Sequence, residues 1–160
     1  MRTELAKTTD LAAIAAVHAA CFERQQRSKD WIACQLSAFP SKRVFKFVEG
    51  AQIVGYAIWS EKSGFRSQAV VELEQVGVTP DKRGAGIASV LITQSLAALK
   101  GAIAERGACI RAVMVTTRAD NTAQCLYRKT LGAEIVATLP KLFGVADEVI
   151  MLAELRPRTT

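Results

Sequence analysis

One stretch constrains this chain more than any other: Val76-Gly77-Val78-Thr79-Pro80-Asp81-Lys82-Arg83-Gly84-Ala85-Gly86-Ile87-Ala88. An apolar run from Val70 to Val78 ends in a proline turn, and a short basic, glycine-rich loop then runs into a long helical pattern. The order is strand, loop, helix N-terminus. Such a junction aims several backbone N–H groups and the positive end of a helix dipole at one spot. An anion, above all a pyrophosphate, is the natural occupant. Lys82 and Arg83 add charge, and Gly84 and Gly86 let the backbone come close. A Walker loop is absent, and Ser89 stands where a dinucleotide fingerprint needs its third glycine.

The rest of the chain alternates helical and extended patterns. Asp10 is placed to cap a helix over Leu11–Phe22, with Leu11, Ile14, Val17, His18 and Cys21 on one stripe. A second helix covers Asp30–Ala38 and stops before Pro40. Val44–Glu49 and Gln52–Ser60 read as a hairpin around Glu49-Gly50-Ala51, and Ala69–Val78 as a third strand. The longest helix is Gly86–Arg106, with Ile87, Val90, Leu91, Leu96, Leu99 and Ile103 as its apolar face. Cys109–Thr116 is a strand covered on both faces. Asp120 or Asn121 caps a helix ending at Leu131, and strands follow at Glu134–Leu139 and Glu148–Leu155. The expected fold class is α/β (α+β), with helices packed on a mixed sheet and a right-handed parallel crossover, or an equivalent central pairing, over Ala69–Thr116.

With 160 residues, half of them hydrophobic and 22% charged, the chain is expected to form one globular domain over residues 1–160. The net charge of +6 fits an anionic cofactor better than nucleic acid, because the positive residues are scattered and not interleaved with aromatics. Cys21, Cys34, Cys109 and Cys125 fit no zinc spacing and are expected as free, buried thiols of a reducing cytoplasm. No metal is implied. Met1–Asp10 is polar, so no signal peptide is expected, and no apolar run approaches a membrane span.

Carboxylates mark the strand ahead of the loop. Alternation puts Glu72 and Glu74 on one face with Val70, Val76 and Val78. On a central strand such groups are costly unless paired or functional. Pairing with Arg111 on the next strand, or solvation, is the structural alternative. His18, the single histidine, is expected at a helix surface or boundary. Phe22, Trp31, Phe39 and Trp59 are either core or an acceptor wall, and Phe143-Gly144 lies in a loop able to close over a ligand.

The stretch Val76–Ala88 resembles the acetyl-CoA loop of the GCN5-related N-acetyltransferase (GNAT) family, V-x-P-x-x-[RQ]-G-x-G-[IL]-[GA]. Asp81 stands where the family often has Gln or Arg. A second segment, Asn121-Thr122-Ala123-Gln124-Cys125-Leu126-Tyr127, resembles the family's N-x-x-A-x-x-L-Y pattern. Tyr127 follows Asn121 by six residues where the family has seven, and placing Asp120 at the Asn position restores seven. The resemblance implies a three-layer fold with a mixed sheet of six to seven strands and four helices, including a short strand near Arg2–Ala6. It implies that acetyl-CoA is held by Val76, Gly77, Val78 and by Lys82, Arg83, Gly84, Ala85, Gly86, Ile87 and Ala88. Asn121 then orients CoA or the tyrosine, or simply caps its helix. Tyr127 is the implied acid for the leaving thiolate and Glu72 the implied base, directly or through water, with Glu74 as its rival. The implied reaction is acetyl transfer to a primary amine, either a protein N-terminus or lysine, or a small-molecule amine. A homodimer is compatible with the family. The alternatives are a non-catalytic acyl-CoA-binding regulatory domain and an acetyltransferase toxin acting on aminoacyl-tRNA.

Overall fold

The computed structural model describes residues 1–62 and 64–155. Among these, strands β1 (Arg2–Leu5), β2 (Lys42–Glu49), β3 (Gln52–Lys62), β4 (Gln68–Val78), β5 (Cys109–Arg118), β6 (Glu134–Leu139) and β7 (Glu148–Glu154) form one mixed sheet in the order β1-β2-β3-β4-β5-β7-β6. Four helices accompany it: α1 (Leu11–Cys21), α2 (Ser28–Ser37), α3 (Ile87–Ala104) and α4 (Ala123–Leu131). The expected α+β layering and element order are present, and the short strand near the N-terminus spans Arg2–Leu5. β4 and β5 are parallel, as the crossover through α3 requires.

The chain divides into two compact units. The first comprises Met1–Ser60 and Gln75–Leu99. Here β1 pairs antiparallel with β2, and β2 with β3, around a two-residue turn at Gly50-Ala51. Ile14, Ala15 and Val17 of α1, Ile32 of α2, Val44, Tyr56 and Ile58 form a buried cluster, with Phe22 and Leu36 packed against it. Trp59 is also core: its indole N–H donates to the buried Ser95 hydroxyl of α3 at 2.8 Å. On α3 the expected Ile87, Leu91, Leu96 and Leu99 are buried, whereas Val90 is exposed and Ile92 is buried instead. By length and composition alone α3 is apolar enough to cross a membrane, contrary to the sequence expectation.

The second unit comprises Glu61–Glu74 and Lys100–Thr160. β5 pairs antiparallel with β7, and β7 with β6, over a core that includes Val71, Leu73, Val113, Val115, Leu131, Ala133, Val149 and Met151. The β4–β5 ladder runs from Gln68↔Cys109 to Glu72↔Met114, with an irregularity at Ala69/Val70.

The cysteines are free, but their expected burial does not hold: Cys34, Cys109 and Cys125 are exposed and Cys21 is half-buried.

Candidate active site

The strand–loop–helix junction of the first unit is built by few contacts. Thr79 N–H donates to Val54 O at 2.9 Å, anchoring the end of β4 beside β3. Pro80–Lys82 then form a single 3-10 turn. Arg83 folds back, its Nε donating to Val78 O at 3.2 Å, and Lys82 pairs with Glu49 at the β2 end. That pairing raises the Lys82 pKa through the hydrogen bond to Glu49. Both cations therefore brace the loop. Gly84 and Gly86 have φ of 81° and 77°, and a Cβ at either would meet only open space. Buried Ile87 pins the start of α3, whose first turn closes with Val90 N–H on Gly86 O at 3.2 Å. The amides ahead of Val90 precede the first helical bonds. Exposed glycine backbone, unbonded amides and a helix dipole fit a pyrophosphate without needing either side-chain cation.

Val78 is buried and Val76 half-buried. At Gly77 a Cβ would lie 2.9 Å from the Tyr56 ring and 3.2 Å from Cys21 Sγ, so glycine is required by close approach. Cys21 Sγ also lies 3.2 Å from Val78 O, tying α1 to the end of β4.

In the second unit, Glu72 is buried, with one side-chain partner on each carboxylate oxygen. Lys62 Nζ lies 2.9 Å from one carboxylate oxygen, and Thr116 Oγ1 donates to the other at 3.1 Å. The hydrogen bond to Glu72 raises the Lys62 pKa. Arg111 is not the partner: the parallel register sets Glu72 beside Met114, and Arg111 is exposed. Tyr127 is buried on α4, and burial pushes its phenol pKa up. Among the described residues no group hydrogen-bonds its hydroxyl. Asn121 occupies the turn into α4: Oδ1 accepts Ala123 N–H at 2.9 Å and Nδ2 donates to Thr117 Oγ1 at 2.9 Å. Asp120 instead pairs with Arg118 at 2.7 Å.

Two features escaped the sequence reading. Buried Glu148 faces Arg118 across the β5–β7 ladder, and burial raises its carboxyl pKa against the pull of that guanidinium. The second feature is a polar cluster in the first unit. His18 is fully buried, not at a surface, with Nδ1 2.8 Å from Ser28 Oγ and Nε2 2.9 Å from Gln25 Oε1. Gln25 bonds Gln75 of β4 at 3.1 Å, and Gln75 Oε1 accepts from Trp31 Nε1 and the Tyr56 hydroxyl, each at 3.1 Å. Trp31 and Phe39 are exposed, as is Phe143.

The sequence profile of the acetyltransferase (GNAT) family matches residues 11–133. The chain belongs to that family. The structure is similar to an aminoglycoside 6'-N-acetyltransferase from Enterococcus faecium, with a TM-score of 0.78, 16% identity and 100% of each chain covered. It is also similar to a ribosomal-protein-alanine N-acetyltransferase from Brucella melitensis, with a TM-score of 0.70, 24% identity, and 97% of this chain and 100% of that one covered. A third similar structure is an aminoglycoside 6'-N-acetyltransferase complexed with coenzyme A, with a TM-score of 0.75, 15% identity and 100% of each chain covered. At these identities the likeness is one of fold. No curated protein matches the chain.

Proposed function

We propose that this chain is an acetyl-CoA-dependent N-acetyltransferase acting on a primary amine. The observation that carries the reading is the junction at Gly84–Ile87. Two glycines at positive φ stand ahead of an 18-residue helix, and the adjoining cations are already committed to the protein. Backbone amides of Gly84, Ala85, Gly86, Ile87 and Ala88 hold the pyrophosphate in this reading, while Lys82 and Arg83 hold the loop. Backbone groups of Val76 and Val78, with Gly77 between them, take the pantetheine arm.

Bound acetyl-CoA supplies an activated thioester carbonyl. The protein's task is to orient the amine, take its proton and return one to the departing sulfur. Tyr127 is proposed as the donor. Its burial favours the neutral phenol, so the proton is present throughout the physiological range. Glu72 is proposed as the proton acceptor, acting through water. Lys62 and Thr116 each take one lone pair of its carboxylate and leave others available. Asn121 positions the start of the helix that carries Tyr127.

The relatives of known fold include enzymes named for aminoglycosides and for a ribosomal protein, so both small-molecule and protein amines fall within the reading. The test is release of the CoA thiol from acetyl-CoA on addition of amines from both classes. Thiol release that depends on the amine supports the reading, and none with any amine would count against it.

A further inference from the structure

The buried histidine of the first unit has one proton, and its neighbours fix where that proton sits. An indole N–H can only donate. The Gln75 atom 3.1 Å from Trp31 Nε1 is therefore its carbonyl oxygen, and Gln75 Nε2 faces Gln25 as a donor. The Gln25 atom it meets at 3.1 Å is Oε1, which also lies 2.9 Å from His18 Nε2. Nε2 must then carry the ring proton. Burial disfavours the charged ring, so Nδ1 keeps its lone pair and accepts the Ser28 hydroxyl at 2.8 Å. Phe22 and Tyr56 pack against the ring, with centroids 5.2 Å and 6.3 Å away. A hydroxyl that donates to a neutral imidazole, whose far nitrogen is held by a fixed acceptor, is the arrangement that activates a serine.

The backbone around Ser28 suits a developing oxyanion. The turn into α2 passes through Arg27 at φ 57° and ψ 44°, a left-handed conformation that a non-glycine residue adopts at a cost. The first helical bond runs from Trp31 N–H to Arg27 O at 3.0 Å. The amides of Ser28, Lys29 and Asp30 precede it, and Arg27 offers them no side-chain cap. In nucleophile turns that open a helix, the amide after the nucleophile donates to the oxyanion, and Lys29 holds that position here. Ser28 is half-buried, while Arg27 and Lys29 are exposed, so the turn borders solvent.

We propose that Ser28 is a nucleophile, with His18 as its base, that takes the acyl group of an activated ester. Oγ attacks the ester carbonyl while the hydroxyl proton passes to His18 Nδ1. The Oγ–C bond forms, the ester C–O bond breaks, and the departing alkoxide leaves with the proton from Nδ1. Water attacks the acyl-serine by the same route, releasing a carboxylic acid and restoring Ser28. Gln25 is a positioning residue: it touches no reacting atom and holds Nε2–H so that Nδ1 faces the serine. Nε2–H meets a neutral amide rather than a carboxylate, so the base is weak and the site favours reactive esters. This chemistry is separate from transfer to an amine and uses neither acetyl-CoA nor the Gly84–Ile87 junction.

The test treats the full chain with a fluorophosphonate probe. Ser28 Oγ would bond to phosphorus as the P–F bond breaks and fluoride leaves, its proton passing through His18 to solvent. Intact mass and peptide mapping read the adduct and its rate of formation. The wild type is expected to gain a single adduct on Ser28, and Ser28→Ala none. His18→Asn should slow labelling on the order of 10²-fold. Gln25→Leu should slow it roughly tenfold, and Gln25→Glu, which again offers Nε2–H an acceptor, should restore the rate. A packing role for the cluster would give no such rescue. Gln25 is exposed, so its two variants carry the test however far His18→Asn disturbs the core. No adduct on the wild type, an adduct on a residue other than Ser28, or wild-type rates in Gln25→Leu overturns the proposal. None of these outcomes bears on acetyl-CoA binding, which stands or falls separately.

Discussion

The Tyr56 ring stands 2.9 Å from the point where Gly77 would carry a Cβ. Tyr56 cannot move aside cheaply: it is fully buried and its hydroxyl is bonded to Gln75. Gly77→Ala is therefore expected to destabilise the protein by about 1–3 kcal/mol, the usual range for overpacking. Tyr56→Leu should relieve part of that cost in the double variant. Chemical denaturation of the four proteins checks this, and additive effects of the two changes would contradict the contact.

The buried imidazole of His18 makes stability depend on pH. Burial lowers its folded pKa, with the hydrogen bond to Gln25 opposing. The unfolded chain titrates near the usual value of about 6.5. Above that value both states are neutral and the contribution is fully present. As pH falls towards the lowered folded value, the unfolded state gains protons first and stability is lost. Thermal midpoints from pH 8 to pH 5 should fall more steeply in the wild type than in His18→Asn. Parallel curves would remove His18 as the titrating group.

Tyr127→Phe keeps the buried ring and deletes the proposed proton donor. The expected result is a fall in kcat on the order of 10²-fold, within the range for general acid catalysis, with acetyl-CoA affinity retained. Steady-state kinetics and a binding titration separate the two. Full turnover would return Tyr127 to an ordinary packing role.

Lys62 is the ion partner of buried Glu72 and is itself 41% exposed at its side chain. Lys62→Met leaves that carboxylate with Thr116 as its remaining side-chain partner. After allowance for solvent screening, a loss of about 1 kcal/mol is expected at neutral pH, measured by denaturant unfolding. Glu72→Gln should lower kcat/KM for an amine by roughly tenfold if water relays the proton to it. Equal rates would mean the Glu72–Lys62 pair is purely structural.

Much of the fold was legible because hydrophobic periodicity reports burial. α1, α2, α3 and the hairpin Lys42–Lys62 fall within a few residues of their expected spans. β1 was invisible to periodicity, since its four residues are partly exposed and pair only with β2 at the sheet edge. The Gly84–Gly86 junction was readable because the loop chemistry is local in sequence. The partners of Glu72 were not: Arg111 was one alternative, but the parallel register sets Glu72 beside Met114 of β5, and the partners are Thr116 further along β5 and Lys62 at the end of β3. Likewise Asp10 begins α1 without capping it, its carboxylate being taken by Lys7 N–H and Lys46. The His18 cluster joins residues spread from position 18 to 75, and no spacing rule connects them.

The central claim is that the Gly84–Ile87 junction binds the pyrophosphate of acetyl-CoA through its backbone. Calorimetric titration of the wild type and Gly86→Glu with acetyl-CoA tests it most directly. A Cβ at Gly86 meets open space, so apart from the strain at φ 77° the new side chain disturbs no packing. The expected result is micromolar binding by the wild type, lost in a variant that remains folded. No binding by the wild type, or equal binding by the variant, would contradict the claim.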